Sequence, residues 1–240
     1  MRIRQDSDDR SNNQTMSLGT EKPYYFYVSP ALFLLLVWSF IIWFIGPSGE
    51  FMINDDWSFI KALQIVTCDG CVPATGWGDG GPSLLTHLIW GFAFTKMFGF
   101  SVTVLRVSVL VMAVLGSVAL MVFLKRTGAS SSLAFWGALT LIANPLSLSR
   151  SFTFMTDVTL IGIMIFSALF ITEGIERQSR ILVVLGLVFA LAALLTRQIA
   201  IAIPVTLILF TFIHPKAKQM GKFLDLHDDG FDCGHTVGRI

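Results

Sequence analysis

The sequence predicts an all-α polytopic membrane protein, and three observations support that fold class. The 240 residues are 54% hydrophobic and 14% charged, with a mean hydropathy of +0.70, whereas soluble domains carry about 25% charged residues. Apolar stretches near the bilayer-spanning length of about 20 residues recur between residues 29 and 213. The charges lie in tails and loops rather than on one basic face, so the net charge of +1 does not indicate nucleic-acid binding.

Both ends of the chain are polar. Residues 1–28 begin with a mixed-charge stretch that has no apolar period, which predicts a disordered cytoplasmic tail. The first apolar run starts too far along the chain for a signal peptide, so we interpret it as an uncleaved anchor. Residues 214–240 form a second polar tail. Its His, Asp and Cys residues match no standard zinc or calcium spacing, and we expect no metal site there.

Six apolar segments are predicted to span the membrane within residues 29–213. They are Ser29–Gly46, Thr103–Leu124, Ser131–Leu148, Ser151–Thr172, Ile181–Thr196 and Gln198–Ile213. Joined as one helix, the last two would be about 50 Å long at about 1.5 Å per residue, which exceeds the thickness of a bilayer. We therefore predict a hairpin that turns at Arg197-Gln198.

Residues 47–102 are predicted to form an extracytoplasmic loop with juxtamembrane helices. Within the loop, Pro82–Gly99 contains several polar residues, so it is either a poor span or a helix that lies against the membrane. The positive-inside bias prefers the second arrangement, with the N-terminus in the cytoplasm. That topology places six charged residues at one extracytoplasmic face: Asp55, Asp56, Arg106, Arg150, Asp157 and Arg197.

Asp55 and Asp56 are adjacent carboxylates just beyond the first span. They open the segment Asp56–Val66, whose apolar residues recur every three to four positions, which predicts a short amphipathic helix on the outer leaflet. The dipole of that helix would keep the carboxylates ionised. Two interpretations stay open, because a helix cap and a catalytic base would look identical in sequence.

Arg150 and Asp157 are seven residues apart, so one helix would place them on one face about two turns apart. An ion pair that locks two helices is one interpretation, and a functional role is the other. Arg106 and Arg197 are each consistent with snorkelling. Three arginines at one face would also suit a phosphate, because guanidinium groups donate in bidentate fashion to phosphate oxygens.

Two further features of the loop are interpreted without a catalytic role. Cys68 and Cys71 form Cys-Asp-Gly-Cys and predict a short disulfide or two free thiols rather than a redox or metal site. His87 is a single imidazole on an apolar segment, and we predict an interfacial position for it.

The order of these landmarks resembles a known family. The landmarks are Asp55-Asp56, Gly81-Pro82-Ser83-Leu84-Leu85, Leu105-Arg106, Lys125-Arg126, Asn144-Pro145, Ser149-Arg150 and Met155-Thr156-Asp157. Their succession resembles the N-terminal half of the C-type (GT-C) integral membrane glycosyltransferases, in the branch of protein O-mannosyltransferases and the aminoarabinose transferase of lipid A. Gly81 replaces a Lys often found before the Pro, and Ser58 replaces an Arg sometimes found after the first acid.

The resemblance implies a GT-C-like helical bundle that moves a sugar from a polyprenyl-phosphate donor to an extracytoplasmic acceptor. The acceptor would be a lipid, a glycan or a protein. By resemblance, Asp55 is the first choice for the general base and Asp56 the second, while Asp157 has a supporting role. The donor phosphate would be bound by Arg106, Arg150 and Arg197. No cofactor is required on this interpretation, with a divalent metal as the alternative.

The resemblance also implies a setting for the protein. We expect a bacterial cell membrane, and two interpretations of the chain stay open: an active enzyme, or an incomplete, inactive fragment whose tail at 214–240 marks a truncation or frameshift. The alternative function is a non-catalytic multi-pass membrane protein or a transporter-like fragment, in which the charges only tie helices together. Transporters usually place polar residues near the bilayer midplane, whereas here they gather at one face.

Overall fold

The computed structural model describes residues 25–49, 56–69 and 84–206, and these ranges are helical without any strand. The helices are α1 (Tyr25–Ile45), α2 (Asp56–Asp69), α3 (Leu85–Phe98), α4 (Val102–Arg126), α5 (Ser131–Ala143), α6 (Pro145–Ser151), α7 (Thr156–Glu176) and α8 (Arg180–Leu194), followed by a 3-10 turn at Gln198–Ile201. The all-α prediction is confirmed for these ranges. Asp55, Cys71, the tail at 214–240, most of the tail at 1–28 and the end of the sixth predicted span lie outside them.

Two of the described helices, α4 and α7, are long and apolar enough to cross a bilayer. The pair α5 and α6 would be a third span, bent by 65° at its break, while Pro30–Ile45 and α8 are apolar but shorter. The 14 residues of α3 rise only about 21 Å, less than the roughly 30 Å of hydrocarbon, so we place α3 outside the spans. The described residues thus support two or three spans, and six stays a prediction.

Asn144-Pro145 breaks the predicted span Ser131–Leu148 into α5 and α6. Proline lacks a backbone N–H and disfavours a helical conformation in the residue before it. Asn144 is accordingly extended, and its side-chain oxygen accepts hydrogen bonds from the N–H groups of Leu146 (2.9 Å) and Ser147 (3.4 Å). The predicted span is therefore a bent pair of helices rather than a single one, because the proline and the cap outweigh the continuous apolar composition.

A turn at residues 152–155 separates α6 from α7, so the predicted span Ser151–Thr172 starts too early. Phe154 in this turn is fully buried. Its ring lies so close to α3 that a Cβ on Gly91 would stand 2.6 Å from it. The prediction that Arg150 and Asp157 share one helix was therefore wrong, because burial of Phe154 ends the helix between them.

α4 and α7 run parallel in close contact. Midway along α4 and seven residues into α7, a Cβ on Gly116 would lie 3.1 Å from Cα of Gly162, and small residues permit such close approach of two helices in a membrane. At their ends Nε of Arg126 lies 3.5 Å from Oε2 of Glu173. Both helices therefore begin at one end of the bundle, named the site end here, and finish at the opposite end, named the far end.

α1 and α8 are antiparallel to this pair. Trp38 of α1 donates from Nε1 to Oγ of Ser117 (3.0 Å), and Ser167 of α7 donates from Oγ to the carbonyl of Gly186 in α8 (2.9 Å). Arg106, one turn into α4, donates to the carbonyl of Gly49 beyond α1 (3.0 Å). The chain thus leaves α1 and α8 at the site end, where α4 and α7 begin.

α2 and α3 pack against the site end. Ile60 and Leu63 of α2 are buried in one hydrophobic cluster with Leu88 of α3 and Leu105 of α4. The predicted helix Asp56–Val66 exists and continues to Asp69. Protein rather than lipid covers Ile60 and Leu63 on its apolar face, and its position on the outer leaflet stays a prediction.

Candidate functional site

Asp157, in the first turn of α7, joins two arginines at the site end. Nη1 of Arg150, in the last turn of α6, lies 3.8 Å from Oδ2 of Asp157. Nη1 of Arg197, just beyond α8, is hydrogen-bonded to Oδ1 of the same carboxylate. These three residues are named the Asp157 cluster. Two guanidiniums and one carboxylate give the cluster a formal charge of about +1.

The chain reaches this arrangement through three helix ends. The N–H of Arg197 bonds to the carbonyl of Ala193 (3.0 Å), and Arg197 itself is extended, with φ of −154° and ψ of 141°. The backbone therefore leaves α8 close to the turn predicted at Arg197-Gln198. Arg150 and Asp157 flank the turn at 152–155. Side chains at helix ends converge here although they are far apart in sequence.

A cleft of about 450 Å³ adjoins the Asp157 cluster. Its walls combine the three charged side chains with Ser147 and with apolar residues of α6, α7 and the turn before α7: Leu146, Met155, Val158 and Ile161. The cluster is partly accessible, since 29% of the Arg150 side chain, 32% of Asp157 and 41% of Arg197 are exposed. An apolar wall beside a net positive charge suits an anionic group attached to a hydrophobic chain.

Arg106 lies at the same end but in different surroundings. Its side chain is 2% exposed and donates from Nη1 to the carbonyls of Gly49 (3.0 Å) and Pro47 (3.5 Å). The snorkelling alternative therefore does not describe Arg106. Arg106 is not among the residues that line the cleft of the Asp157 cluster in the described part of the chain.

Asp56 is the first residue of α2 and is fully buried. A carboxylate in that first turn benefits from the positive end of the helix dipole, as the sequence predicted. Asp55 precedes it directly but lies outside the described residues, so its role stays a prediction.

His87 of α3 is the residue that the sequence interpretation misplaced. It is fully buried rather than interfacial, because its ring packs 4.2 Å from that of Phe154, and its Nδ1 lies 3.1 Å from Oγ1 of Thr159. Burial lowers the pKa of the imidazole from 6.5 to about 4, and a hydrogen bond with the Phe154 backbone offsets only part of this shift. The sequence signal was weak, since burial here depends on a turn that was not predicted.

Metal ligands do not gather in the described ranges, where no three His, Cys, Asp or Glu side chains form a group that would hold an ion. The His and Asp residues of the tail at 214–240 lie outside those ranges. The described site offers ionic binding by arginines that one carboxylate holds in place.

A family model described as dolichyl-phosphate-mannose-protein mannosyltransferase matches residues 82–226, more than half of the chain. The chain belongs to this family. The predicted resemblance to GT-C glycosyltransferases is thereby confirmed, and with its apolar helices the chain is an integral membrane protein of glycosyltransferase type. Neither a curated protein nor a solved structure matches it.

The matched range covers some of the candidate residues but not others. It contains Arg106 and all three members of the Asp157 cluster, but it begins after Asp55 and Asp56. The family description names a lipid-linked sugar as donor and a protein as acceptor. Membership in the family therefore indicates a lipid-linked sugar donor and an acceptor. The family match supports the candidate arginines, which it covers, but not the two N-terminal acids, which it does not cover.

Proposed function

We propose that this chain transfers a sugar from a polyprenyl-phosphate donor to an acceptor outside the cytoplasm, with the Asp157 cluster as the site of the donor phosphate. One observation carries the proposal: a single carboxylate holds two arginines, from α6 and from beyond α8, beside a partly apolar cleft of about 450 Å³. The acceptor would be a lipid, a glycan or a protein. The site end would face away from the cytoplasm, because Lys125, Arg126, Arg177 and Arg180 lie at or next to helix termini of the far end.

The charges of the cluster favour the leaving group of this reaction. As the bond between the sugar and the lipid phosphate breaks, negative charge develops on the phosphate, and guanidiniums that are already oriented stabilise it without reorganisation. Asp157 supplies the orientation, since each of its oxygens contacts a different arginine. The apolar residues Leu146, Met155, Val158 and Ile161 would accommodate the first units of the lipid chain.

The proposed base is Asp55, with Asp56 as second choice, on the strength of the family resemblance. The acceptor hydroxyl oxygen attacks the anomeric carbon while its proton passes to the carboxylate, and the phosphate departs with the bonding electrons, so that the anomeric configuration inverts. Arg106 belongs to the proposed phosphate set by resemblance alone, because it does not line the cleft of the Asp157 cluster in the described part of the chain. Its bonds to the carbonyls of Pro47 and Gly49 anchor the chain beyond α1.

The alternative is a purely structural cluster, and the ion pairs themselves favour it. Asp157 ties α6, α7 and the chain beyond α8 together, which a non-catalytic membrane protein or a transporter fragment would also need. On that account Asp157→Asn would lower thermal stability, and dolichyl phosphate would not bind.

A transfer assay separates the two accounts. Membranes that contain the chain would be supplied with radiolabelled dolichyl phosphate mannose, and the wild type would be compared with Asp55→Asn, Arg150→Gln, Arg197→Gln and Asp157→Asn. Arg126→Gln is the matched control, because Arg126 also pairs with a carboxylate, at the far end. We expect the first four variants to lose transfer and the control to keep it. Equal transfer by Arg150→Gln, Arg197→Gln and wild type would exclude the proposed phosphate site.

A further inference from the structure

Side chains of α3 form hydrogen bonds to three helices that lead to candidate site residues: α4, α7 and α8. Thr86 donates from Oγ1 to the carbonyl of Ala192 in α8 (2.8 Å), and His87 pairs through Nδ1 with Oγ1 of Thr159 in α7 (3.1 Å). Trp90 donates from Nε1 to the carbonyl of Ser108 in α4 (2.9 Å). Three residues within about one turn of a single short helix thus reach three neighbouring helices.

Each bonded position lies close in sequence to a candidate site residue. Thr159 is two residues after Asp157, Ser108 is two residues after Arg106, and Ala192 is five residues before Arg197. Asp157 and Arg106 lie within one helical turn of their bonded positions, and Arg197 follows the end of α8. A shift of α3 would therefore displace the start of α7, which carries the Asp157 carboxylate.

The His87–Thr159 pair is the most enclosed of these contacts. Both residues are fully buried, and the imidazole lies between Phe154, at 4.2 Å, and Phe59 of α2, at 6.2 Å between ring centroids. Removing one partner of a buried hydrogen bond leaves the other unsatisfied, which costs more than losing an exposed bond. Phe154 also belongs to the turn between Arg150 and Asp157, so the imidazole contacts both this turn and Thr159 of α7.

We propose that His87 is a positioning residue for the donor-phosphate site: its hydrogen bond to Thr159 fixes the first turn of α7, and thereby the Asp157 carboxylate that gathers Arg150 and Arg197. The inference rests on the proposed function of the Asp157 cluster. His87 does not touch the donor. It acts through Thr159, while the hydrogen bonds of α3 as a whole connect α4, α7 and α8 at the site end.

Two isosteric pairs of variants test the hydrogen bond. His87→Phe keeps the ring but removes Nδ1, while His87→Asn keeps a polar atom near the position of Nδ1. Thr159→Val removes the hydroxyl, while Thr159→Ser keeps it. Thr95→Val is the matched control, because its hydroxyl bonds only within α3, to the carbonyl of Phe92.

The primary measurement is binding of dolichyl phosphate to the purified full chain in nanodiscs. We expect His87→Phe and Thr159→Val each to raise the dissociation constant about fivefold to tenfold, which corresponds to the loss of one buried hydrogen bond. The double variant should bind like either single variant, because both remove the same bond. His87→Asn, Thr159→Ser and Thr95→Val should bind like wild type.

Hydrogen exchange supplies a measurement that does not require the ligand. Exchange should accelerate in a peptide covering residues 156–165 of His87→Phe while α5 stays as protected as in wild type; uniform acceleration would reveal general destabilisation and overturn the inference. Wild-type binding by His87→Phe, with loss of binding by Arg150→Gln, would overturn the inference alone. Unchanged binding by Arg150→Gln and Arg197→Gln would overturn the proposed function itself.

Discussion

The two ends of α7 carry the same set of charges in different surroundings. At the site end Asp157 contacts Arg150 and Arg197. At the far end Glu173 contacts Arg126 and Arg177, a set named the Glu173 cluster. Each cluster is one carboxylate with two arginines, so composition alone would assign them the same role.

Their surroundings distinguish them. The Glu173 carboxylate side chain is only 12% exposed, and Arg177 lies four residues later on the same helix. Asp157 is 32% exposed, receives its arginines from two other segments and faces a cleft of about 450 Å³. A carboxylate that is nearly buried between its arginines stabilises the helix end that carries it. A carboxylate that holds its arginines beside a cleft creates a place for an anion.

The largest difference should appear when both arginines of a cluster are replaced. Arg150→Gln/Arg197→Gln should lower transfer from radiolabelled dolichyl phosphate mannose by about 10²–10³, the usual cost of losing a preorganised donor to a developing charge. Arg126→Gln/Arg177→Gln should leave the rate unchanged. Similar losses in both double variants would mean that the two clusters share a structural role, and the comparison would fail.

A second difference between the two ends of α7 is the dependence of their stability on pH. His87 braces only the site end, and its burial against Phe59 and Phe154 lowers its pKa from 6.5 to about 4. Between these values the unfolded chain binds the proton and the folded chain does not, so stability falls as the pH drops from 6.5 to 4. At about 1.4 kcal/mol per pKa unit, the loss is roughly 3 kcal/mol.

Thermal unfolding across this pH range measures that contribution. His87→Phe should remove it, so the difference between wild type and variant should change with pH between about 4 and 6.5 and be constant above and below that range. If His87→Phe kept the full pH dependence of wild type, groups other than His87 would cause that dependence. Hydrogen exchange at the two ends should show the α7 start loosening in acid before the Glu173 cluster does.

Gly186 offers a smaller effect, through the contact between α7 and α8. A Cβ there would lie 2.9 Å from the backbone nitrogen of Ile171, so Gly186→Ala must move α8 away from α7. Such overpacking costs about 1–3 kcal/mol, and it should weaken transfer because α8 leads to Arg197. Gly137→Ala is the matched control, since its Cβ meets only the flexible end of Leu124. Thermal unfolding and the transfer assay on both variants test this, and equal melting temperatures would contradict it.

The sequence predicted the helices better than it predicted their breaks. Apolar runs located α4 and α7 within a few residues of their starts or ends, because burial in lipid or protein needs only composition and length. The break at Asn144-Pro145 was visible as a proline with its cap but was outweighed by apolar length. The turn at residues 152–155 had no local signal, since it depends on Phe154 packing against Gly91 of another helix.

The same distinction applies to the site. The sequence grouped Arg150, Asp157 and Arg197 by topology, and the structure brings these three into contact. The sequence wrongly predicted that Arg150 and Asp157 share one helix, whereas they meet across a turn. His87 was missed because its environment comes from α2, α7 and the turn at residues 152–155, and no spacing within α3 reports such contacts. Composition predicts which residues share an end, while only packing shows which of them meet.

The smallest effect should come from Arg177. Its side chain is 55% exposed and its pair with Glu173 is an i,i+4 contact on a helix surface, so Arg177→Gln should cost about 0.3–0.5 kcal/mol, and less at high salt. Denaturant unfolding in nanodiscs at low and high salt measures this. Arg126→Gln should cost somewhat more, because that pair joins α4 to α7 at a carboxylate only 12% exposed. If Arg177→Gln lowered the free energy of unfolding as much as Gly186→Ala, the far end would depend on its ion pairs for stability. The contrast between a stabilising cluster and a binding cluster would then need a different physical basis.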